Sequence, residues 1–81
     1  MNADLVSRFG RTIRALRIAR GWSQQRLADL AELNRSYMGE VERAAATPSL
    51  ATAAKLAQAL QVPLSLLISR CEDTESRSPS P

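Results

Sequence analysis

Two short helical segments with a very short connection constrain the fold of this chain more than any other feature. Ser23 and Asn34, residue types favoured at helix N-caps, each stand directly before a segment in which apolar residues recur at helical spacing. The first segment covers about residues 24–31 and the second about residues 35–43, with a turn of roughly three residues between them. Two helices joined so tightly must cross at a steep angle.

The rest of the chain also favours helices over strands. It has 13 alanines and 11 leucines but few β-branched residues. Asp4 is expected to cap the first helix, and Thr47 with Pro48 to open the fourth. We therefore predict one all-α domain over residues 1–70, with five helices at about residues 4–20, 24–31, 35–43, 48–61 and 63–69.

The residue types that are absent exclude several classes of protein. Without histidine, the chain has no Ser/His or Cys/His catalytic pair and no imidazole metal ligand. Cys71 is the single cysteine, so it forms no internal disulfide, and we expect a partly exposed thiol without function. No apolar run approaches the roughly 18 residues of a membrane span. We expect a cytoplasmic protein that is not an enzyme and has no cofactor, no metal and no membrane contact.

The basic charge of the chain is unevenly distributed. The net charge is +3, but residues 1–70 carry 10 basic and 5 acidic side chains, whereas residues 71–81 carry 1 and 3. The second segment ends in Ser-Pro repeats and has no apolar residue beyond the cysteine, which predicts a disordered acidic tail over residues 71–81. A basic domain is compatible with a polyanionic partner, although solvated basic surfaces are more common than binding sites.

The two sides of the third helix differ in chemistry. At about 100° per residue, its apolar side chains share one side and its short polar side chains the other. A helix that enters the major groove of DNA needs such an outer side, with hydrogen-bonding groups and little bulk. An ordinary surface helix has the same polarity, so both interpretations stay open. The inward side holds Tyr37, Met38 and Val41, and the outward side holds Ser36, Gly39, Glu40 and Arg43.

The fifth helix carries more large aliphatic side chains than one small core can cover. Leu64, Leu66, Leu67 and Ile68 lie within five successive positions. Some of them can cap the core by packing on the first helix. The others are expected to form an exposed apolar surface, which usually marks an interface.

Five motifs lie between Phe9 and Leu67: I-R-A-L-R from Ile13, G-W-S-Q-Q-R-L-A from Gly21, E-V-E-R from Glu40, P-S-L from Pro48 and L-A-Q-A-L-Q-V from Leu56. Together they resemble the Xre-type helix-turn-helix regulators, the group that includes the phage repressors and Cro. The segment L-N-R-S-Y-M-G-E-V-E-R from Leu33 is also similar to the controller proteins of restriction–modification systems. This resemblance implies a compact, lambda-repressor-like DNA-binding domain with the helix-turn-helix at its second and third helices.

The resemblance also implies roles for individual residues. Arg35 would bind guanine or a phosphate, and Glu40 is expected to orient Arg35 or Arg43. Base readout is assigned to Arg35, Ser36, Gly39 and Glu40, and phosphate contact to Gln24, Tyr37, Arg43 and Thr47.

Two further pairs of positions follow from the same resemblance. Arg17 and Glu42 match an internal ion pair between the first and third helices. Glu32 stands where a glycine commonly takes the left-handed conformation, and Ala44 where a glycine or asparagine often ends the third helix. These two residues depart from the family pattern, and neither lies on the outward side of the third helix.

Two functions remain open at this point. In the first, a homodimer formed through Leu64, Leu67 and Ile68 places each third helix in a major groove of a palindromic operator, about 34 Å apart. Such a protein represses transcription or activates it through RNA polymerase, a candidate second partner. In the second, the chain is a protein-interaction module of the same fold, as in antitoxins and some coactivators.

Overall fold

Five α-helices follow one another in the computed structural model, which describes the backbone of residues 2–76 and the side chains of residues 4–72. The prediction of an all-α fold with five helices is confirmed. α1 begins before Asp4, which lies in its first turn rather than at its N-cap. The helices are α1 (Asn2–Ala19), α2 (Gln24–Ala31), α3 (Arg35–Glu42), α4 (Leu50–Leu60) and α5 (Leu64–Ser76).

A single cluster of buried apolar side chains connects the five helices. α1 packs mainly against α5 and α3, while α2 packs against α3 and α4. Within each helix the buried residues recur three or four positions apart, so one stripe faces the core. The cluster consists of Phe9, Ile13, Leu27, Ala28, Ala31, Met38, Val41, Ala53, Leu56, Ala57, Leu60, Leu67 and Cys71.

Leu50 and Ala54 of α4 lie outside the buried stripe of this helix. Ala54 is exposed, because the stripe of this helix runs through Leu56 instead. Leu50 is 73% exposed. It is the first residue of α4, at the end of the loop that follows α3.

Side-chain caps determine where the central helices begin. Ser23 and Asn34 cap α2 and α3 as predicted, with oxygens that accept backbone N–H groups at 3.0 and 2.8 Å. At α4 the prediction is wrong, since Ser49 is the N-cap and its Oγ accepts a backbone N–H at 3.0 Å. Thr47 and Pro48 therefore belong to the loop between α3 and α4.

The first four helices end in the same backbone arrangement. After each helix comes a residue with positive φ, and the next N–H donates to a carbonyl oxygen five residues earlier, at 2.7 to 3.1 Å, as in a Schellman motif. A left-handed conformation costs a non-glycine residue about 1–2 kcal/mol. Sequence motifs indicated two of the three non-glycine positions and missed Gln61. The four residues are Gly21 (73°), Glu32 (58°), Ala44 (62°) and Gln61 (60°).

α5 is longer than the sequence predicts. It continues to Ser76, so residues 71–76 are helical and not part of a disordered tail, while residues 77–81 lie outside the described residues. Cys71 is fully buried rather than partly exposed. Its carbonyl oxygen accepts a hydrogen bond from Arg8 Nε at 2.7 Å, and burial raises the pKa of its thiol. The contact of Cys71 with α1 stabilises the start of this extension, because tertiary contacts stabilise a helix that composition alone does not favour.

None of the described helices is by itself long and apolar enough to cross a membrane. Leu50–Leu60 and Leu64–Glu72 have the required length and composition only as a pair, and this pair is bent by 107°.

Among the described residues, no three His, Cys, Asp or Glu side chains are grouped so that they could hold a metal ion.

Gly10 sets the distance between α1 and α3. A Cβ at this position would lie 2.5 Å from the carbonyl oxygen of Val41 and 2.8 Å from that of Glu42. Both oxygens belong to the backbone of α3, which cannot rotate away as a side chain can. The two helices therefore lie this close only because residue 10 has no side chain, a role that no sequence motif indicated.

Gly10→Ala is expected to lower the free energy of unfolding by about 1–3 kcal/mol, as overpacking substitutions do, although alanine is the better helix former. Chemical denaturation followed by circular dichroism measures the change. The control is Ala15→Gly at an exposed position of α1, which should cost only the difference in helix propensity, about 1 kcal/mol. A Gly10→Ala protein as stable as the wild type would contradict the close contact between α1 and α3.

Candidate nucleic-acid interface

The turn between α2 and α3 fixes how the two helices cross. Glu32 takes the left-handed conformation, Leu33 packs against the core, and Asn34 caps α3. The two helices then bury their apolar sides together, with Leu27 of α2 and Met38 of α3 fully enclosed. The polar side of α3 is left open to solvent.

Six of the eight residues predicted to contact DNA line one open depression with a volume of about 340 Å³. One of them is the first residue of α2, and the others belong to α3 or to its C-cap. The depression is lined by Gln24, Arg35, Ser36, Gly39, Glu40 and Arg43.

The other two predicted contact residues lie elsewhere. Tyr37 is half-buried and packs against the core. Thr47 is exposed in the loop after α3 and lines a separate apolar pocket, together with Pro48 and Ile68. The structure therefore does not bring these two residues together with the other six.

A buried carboxylate supports one end of the depression. The Glu42 side chain is 2% exposed, and Arg17 donates to it from Nε at 2.6 Å and from Nη2 at 3.0 Å. Gln24 Nε2 donates to the same carboxylate at 3.0 Å. Arg17 also donates from Nη1 to the carbonyl oxygen of Trp22 at 2.8 Å. The hydrogen bond to Glu42 raises the pKa of Arg17 above its ordinary value. The Arg17 guanidinium thus links α1, α3 and the residues directly before α2.

Arg35 and Arg43 bring positive charge to the depression. Both are exposed, and neither forms an ion pair or a side-chain hydrogen bond with another described residue. Glu40 likewise forms no ion pair within the described part of the chain, so in the free protein it holds neither arginine. Both guanidinium groups can therefore donate to a ligand that enters the depression.

The arginines of α1 and of the turn that follows it have different surroundings. Arg8 donates to the backbone of α5, and Arg20 donates to the backbone of α4 at its C-terminal end. The Arg20 guanidinium also lies over the Trp22 ring, 5.3 Å from its centroid. Arg11 and Arg14 are exposed and do not line the depression. Arg8 and Arg20 thus contribute hydrogen bonds that stabilise the fold.

The three predicted dimer residues differ in exposure. Leu64 and Ile68 are half-buried, whereas Leu67 is fully enclosed within its own chain. Leu67 and Cys71, four positions apart, form the buried stripe of α5. The assignment of Leu67 to an interface is therefore wrong, because its side chain belongs to the core.

Two short helices that cross at a tight turn, with an open polar side on the second, define the helix-turn-helix class of DNA-binding proteins. The family model described as Helix-turn-helix (HTH_3) matches residues 13–67. The chain therefore belongs to the Xre/Cro-like helix-turn-helix family of transcriptional regulators, which is not a family of enzymes. This confirms the resemblance that the sequence motifs indicated.

Two curated regulators are similar to the chain over most of its length. The HTH-type transcriptional regulator SutR of Escherichia coli (strain K12) is 39% identical over 66 residues, 82% of this chain and 37% of that protein. The immunity repressor protein of Bacillus phage phi105 is 39% identical over 59 residues, 73% of this chain and 41% of that protein. The chain thus spans less than half the length of either relative.

Two solved structures have a similar fold. The restriction–modification controller protein C.AhdI from Aeromonas hydrophila has a TM-score of 0.75 and 49% identity, covering 80% of this chain and 97% of that one. The clp gene regulator ClgR from C. glutamicum has a TM-score of 0.80 over 86% of this chain and 91% of its own. At 21% identity, ClgR supports the fold alone.

Arg17→Met is expected to lower the free energy of unfolding by about 3–5 kcal/mol, because Glu42 would stay buried without its partner. The double variant Arg17→Met/Glu42→Leu buries no charge and should regain much of the loss. Chemical denaturation measures both. Arg11→Met, at an exposed position of α1, is the control and should change stability by no more than about 0.5 kcal/mol. Equal losses in Arg17→Met and Arg11→Met would rule out a structural role for the ion pair.

Proposed function

We propose that the chain binds specific sequences of double-stranded DNA as a homodimer and regulates transcription in the cytoplasm. The observation that carries this proposal is the open depression on the outward side of α3, where Arg35 and Arg43 lie beside Gln24 without an acidic partner. Membership of a family of transcriptional regulators supports the same function.

In this proposal α3 enters the major groove. Arg35 donates to guanine O6 and N7 or to a phosphate, Ser36 hydrogen-bonds a base edge, and Glu40 accepts from cytosine N4. Gly39 contributes no bulk, which lets the helix approach the bases. Phosphate contacts, which fix the register of the helix, come from Gln24 and Arg43 with Tyr37 and Thr47 at the margins.

The proposed homodimer uses the half-buried apolar residues of α5, Leu64 and Ile68. Two-fold symmetry then places the two α3 helices in successive major grooves on one side of a palindromic operator, about 34 Å apart. We propose repression by occlusion of promoter DNA, since one relative is named an immunity repressor. Contact with RNA polymerase would turn the same complex into an activator.

Selection from a random duplex library is expected to enrich a pseudo-palindrome with half-sites about one helical turn apart. Affinity for the enriched duplex should fall steeply with salt, because phosphate contacts release counterions. Removing one phosphate contact through Arg43→Ala should lower the salt slope by about one, whereas Arg35→Ala should relax the preferred sequence.

The matched control is Arg11→Ala, which removes the same charge from an exposed position outside the depression. It should leave the preferred sequence unchanged. If no sequence is enriched and affinity does not depend on salt, the chain is instead a protein-interaction module of this fold.

Sedimentation at micromolar concentration is expected to show a dimer with and without DNA. Ile68→Ser should shift the population toward monomer, because it removes apolar area from the proposed interface. Leu30→Ser changes a leucine of α2 that is 44% exposed and serves as the control. Circular dichroism establishes that both variants fold. Monomers alone under both conditions would exclude the homodimer.

A further inference from the structure

Arg43 lies across Gly39 instead of extending away from α3. A long side chain on a helix points toward the N-terminus and covers the residue four positions earlier, which is Gly39 here. A Cβ on Gly39 would lie 3.0 Å from Arg43 Nη1 and 3.9 Å from Arg43 Cζ. The guanidinium therefore uses space that is free only because residue 39 has no side chain.

Gln24 reaches the same point from α2. Its Oε1 lies 3.6 Å from the Cβ position of Gly39, and its Nε2 donates to the buried Glu42 carboxylate at 3.0 Å. Gly39 is consequently buried although it lies on the outward side of α3. The amide of Gln24 has two N–H donors and the guanidinium of Arg43 has five. Both side chains therefore keep donors for a ligand after the contacts described above.

We propose that Gly39 is a positioning residue, which holds the Arg43 guanidinium beside Gln24 so that both side chains donate to one DNA phosphate. The inference rests on the proposed DNA binding and assigns to Gly39 a role beyond the absence of bulk at the bases. Two donors from two helices define the position of a phosphate more sharply than one mobile arginine. The pair thereby fixes how deeply α3 enters the groove.

Gly39 differs from Gly10 in what a methyl group would meet. At Gly10 the nearest atoms are backbone carbonyl oxygens, whereas at Gly39 they are the ends of two flexible side chains. Gly39→Ala should therefore fold, with a melting temperature equal to or above that of the wild type, because alanine favours the helix. In this variant the guanidinium of Arg43 would nevertheless be displaced from Gln24. Stability and DNA affinity are thus expected to change independently at this position.

The test is a double-mutant cycle with Gly39→Ala, Arg43→Ala and the double variant, on a 20-base-pair random-sequence duplex. A random-sequence duplex is sufficient because phosphate contacts do not require a specific sequence. Fluorescence anisotropy over a salt series measures the affinity. Arg43→Ala should weaken binding about tenfold, as expected for the loss of a charge-assisted hydrogen bond. Gly39→Ala should weaken it to a similar extent and lower the salt slope. The double variant should match Arg43→Ala, because there is no guanidinium left to displace.

Arg43→Lys provides a second measurement that does not depend on the Gly39→Ala protein. It keeps the charge but lacks the planar group that spans Gly39, so it should bind nearly as weakly as Arg43→Ala. Wild-type affinity in Gly39→Ala or in Arg43→Lys would overturn the inference. The inference would also be overturned if Gly39→Ala weakened DNA binding equally in the wild type and in the Arg43→Ala protein. A wild-type protein that binds no duplex would instead overturn the proposed function, and this inference with it.

Discussion

The ion pair between Arg17 and Glu42 is the interaction on which the arrangement of the helices depends. A buried carboxylate that loses its partner destabilises a protein more than an intact pair stabilises it, so the two residues fix the position of α3 relative to α1. Gly10 makes the pair possible, because its contact with the backbone of Glu42 brings the two helices close together. Gln24 then extends the same network to the start of α2.

The local features of this fold are readable from the sequence because they depend on neighbouring residues. Ser23 and Asn34 cap helices through hydrogen bonds to residues two or three positions ahead, and the inward and outward sides of α3 follow from helical spacing alone. Four of the six residues that line the depression belong to that outward side, whereas only the family resemblance indicates Gln24 and Arg35. Contacts between distant segments leave no such pattern. Three such contacts are the approach of Gly10 to α3, the hydrogen bond from Gln24 to Glu42 and the burial of Cys71 against α1. All three depend on how the helices pack, which the spacing of residues within a helix does not show.

The helix ends show how the chain tolerates local strain. Glu32, Ala44 and Gln61 take a conformation that glycine adopts more easily, yet they form the same hydrogen bonds as Gly21. Burial offsets part of the cost, since the residues that follow Gly21, Glu32 and Gln61 pack against the core. At Ala44 the following residue is exposed, so that turn lacks this compensation. The loop after α3 is therefore the connection with the weakest support from packing.

The distribution of arginines determines how stability and DNA binding are related. Arg8, Arg17 and Arg20 donate to carboxylates or carbonyl oxygens within the fold, whereas Arg35 and Arg43 have no such partner among the described residues. The net charge of +3 therefore does not show which arginines stabilise the fold and which are available to a ligand. In the proposed complex, affinity depends on where these two guanidinium groups are held, because phosphate contacts fix the register of the helix. Glu42 connects the depression to the core through Gln24, so substitutions of Glu42 are expected to change both folding and the proposed binding.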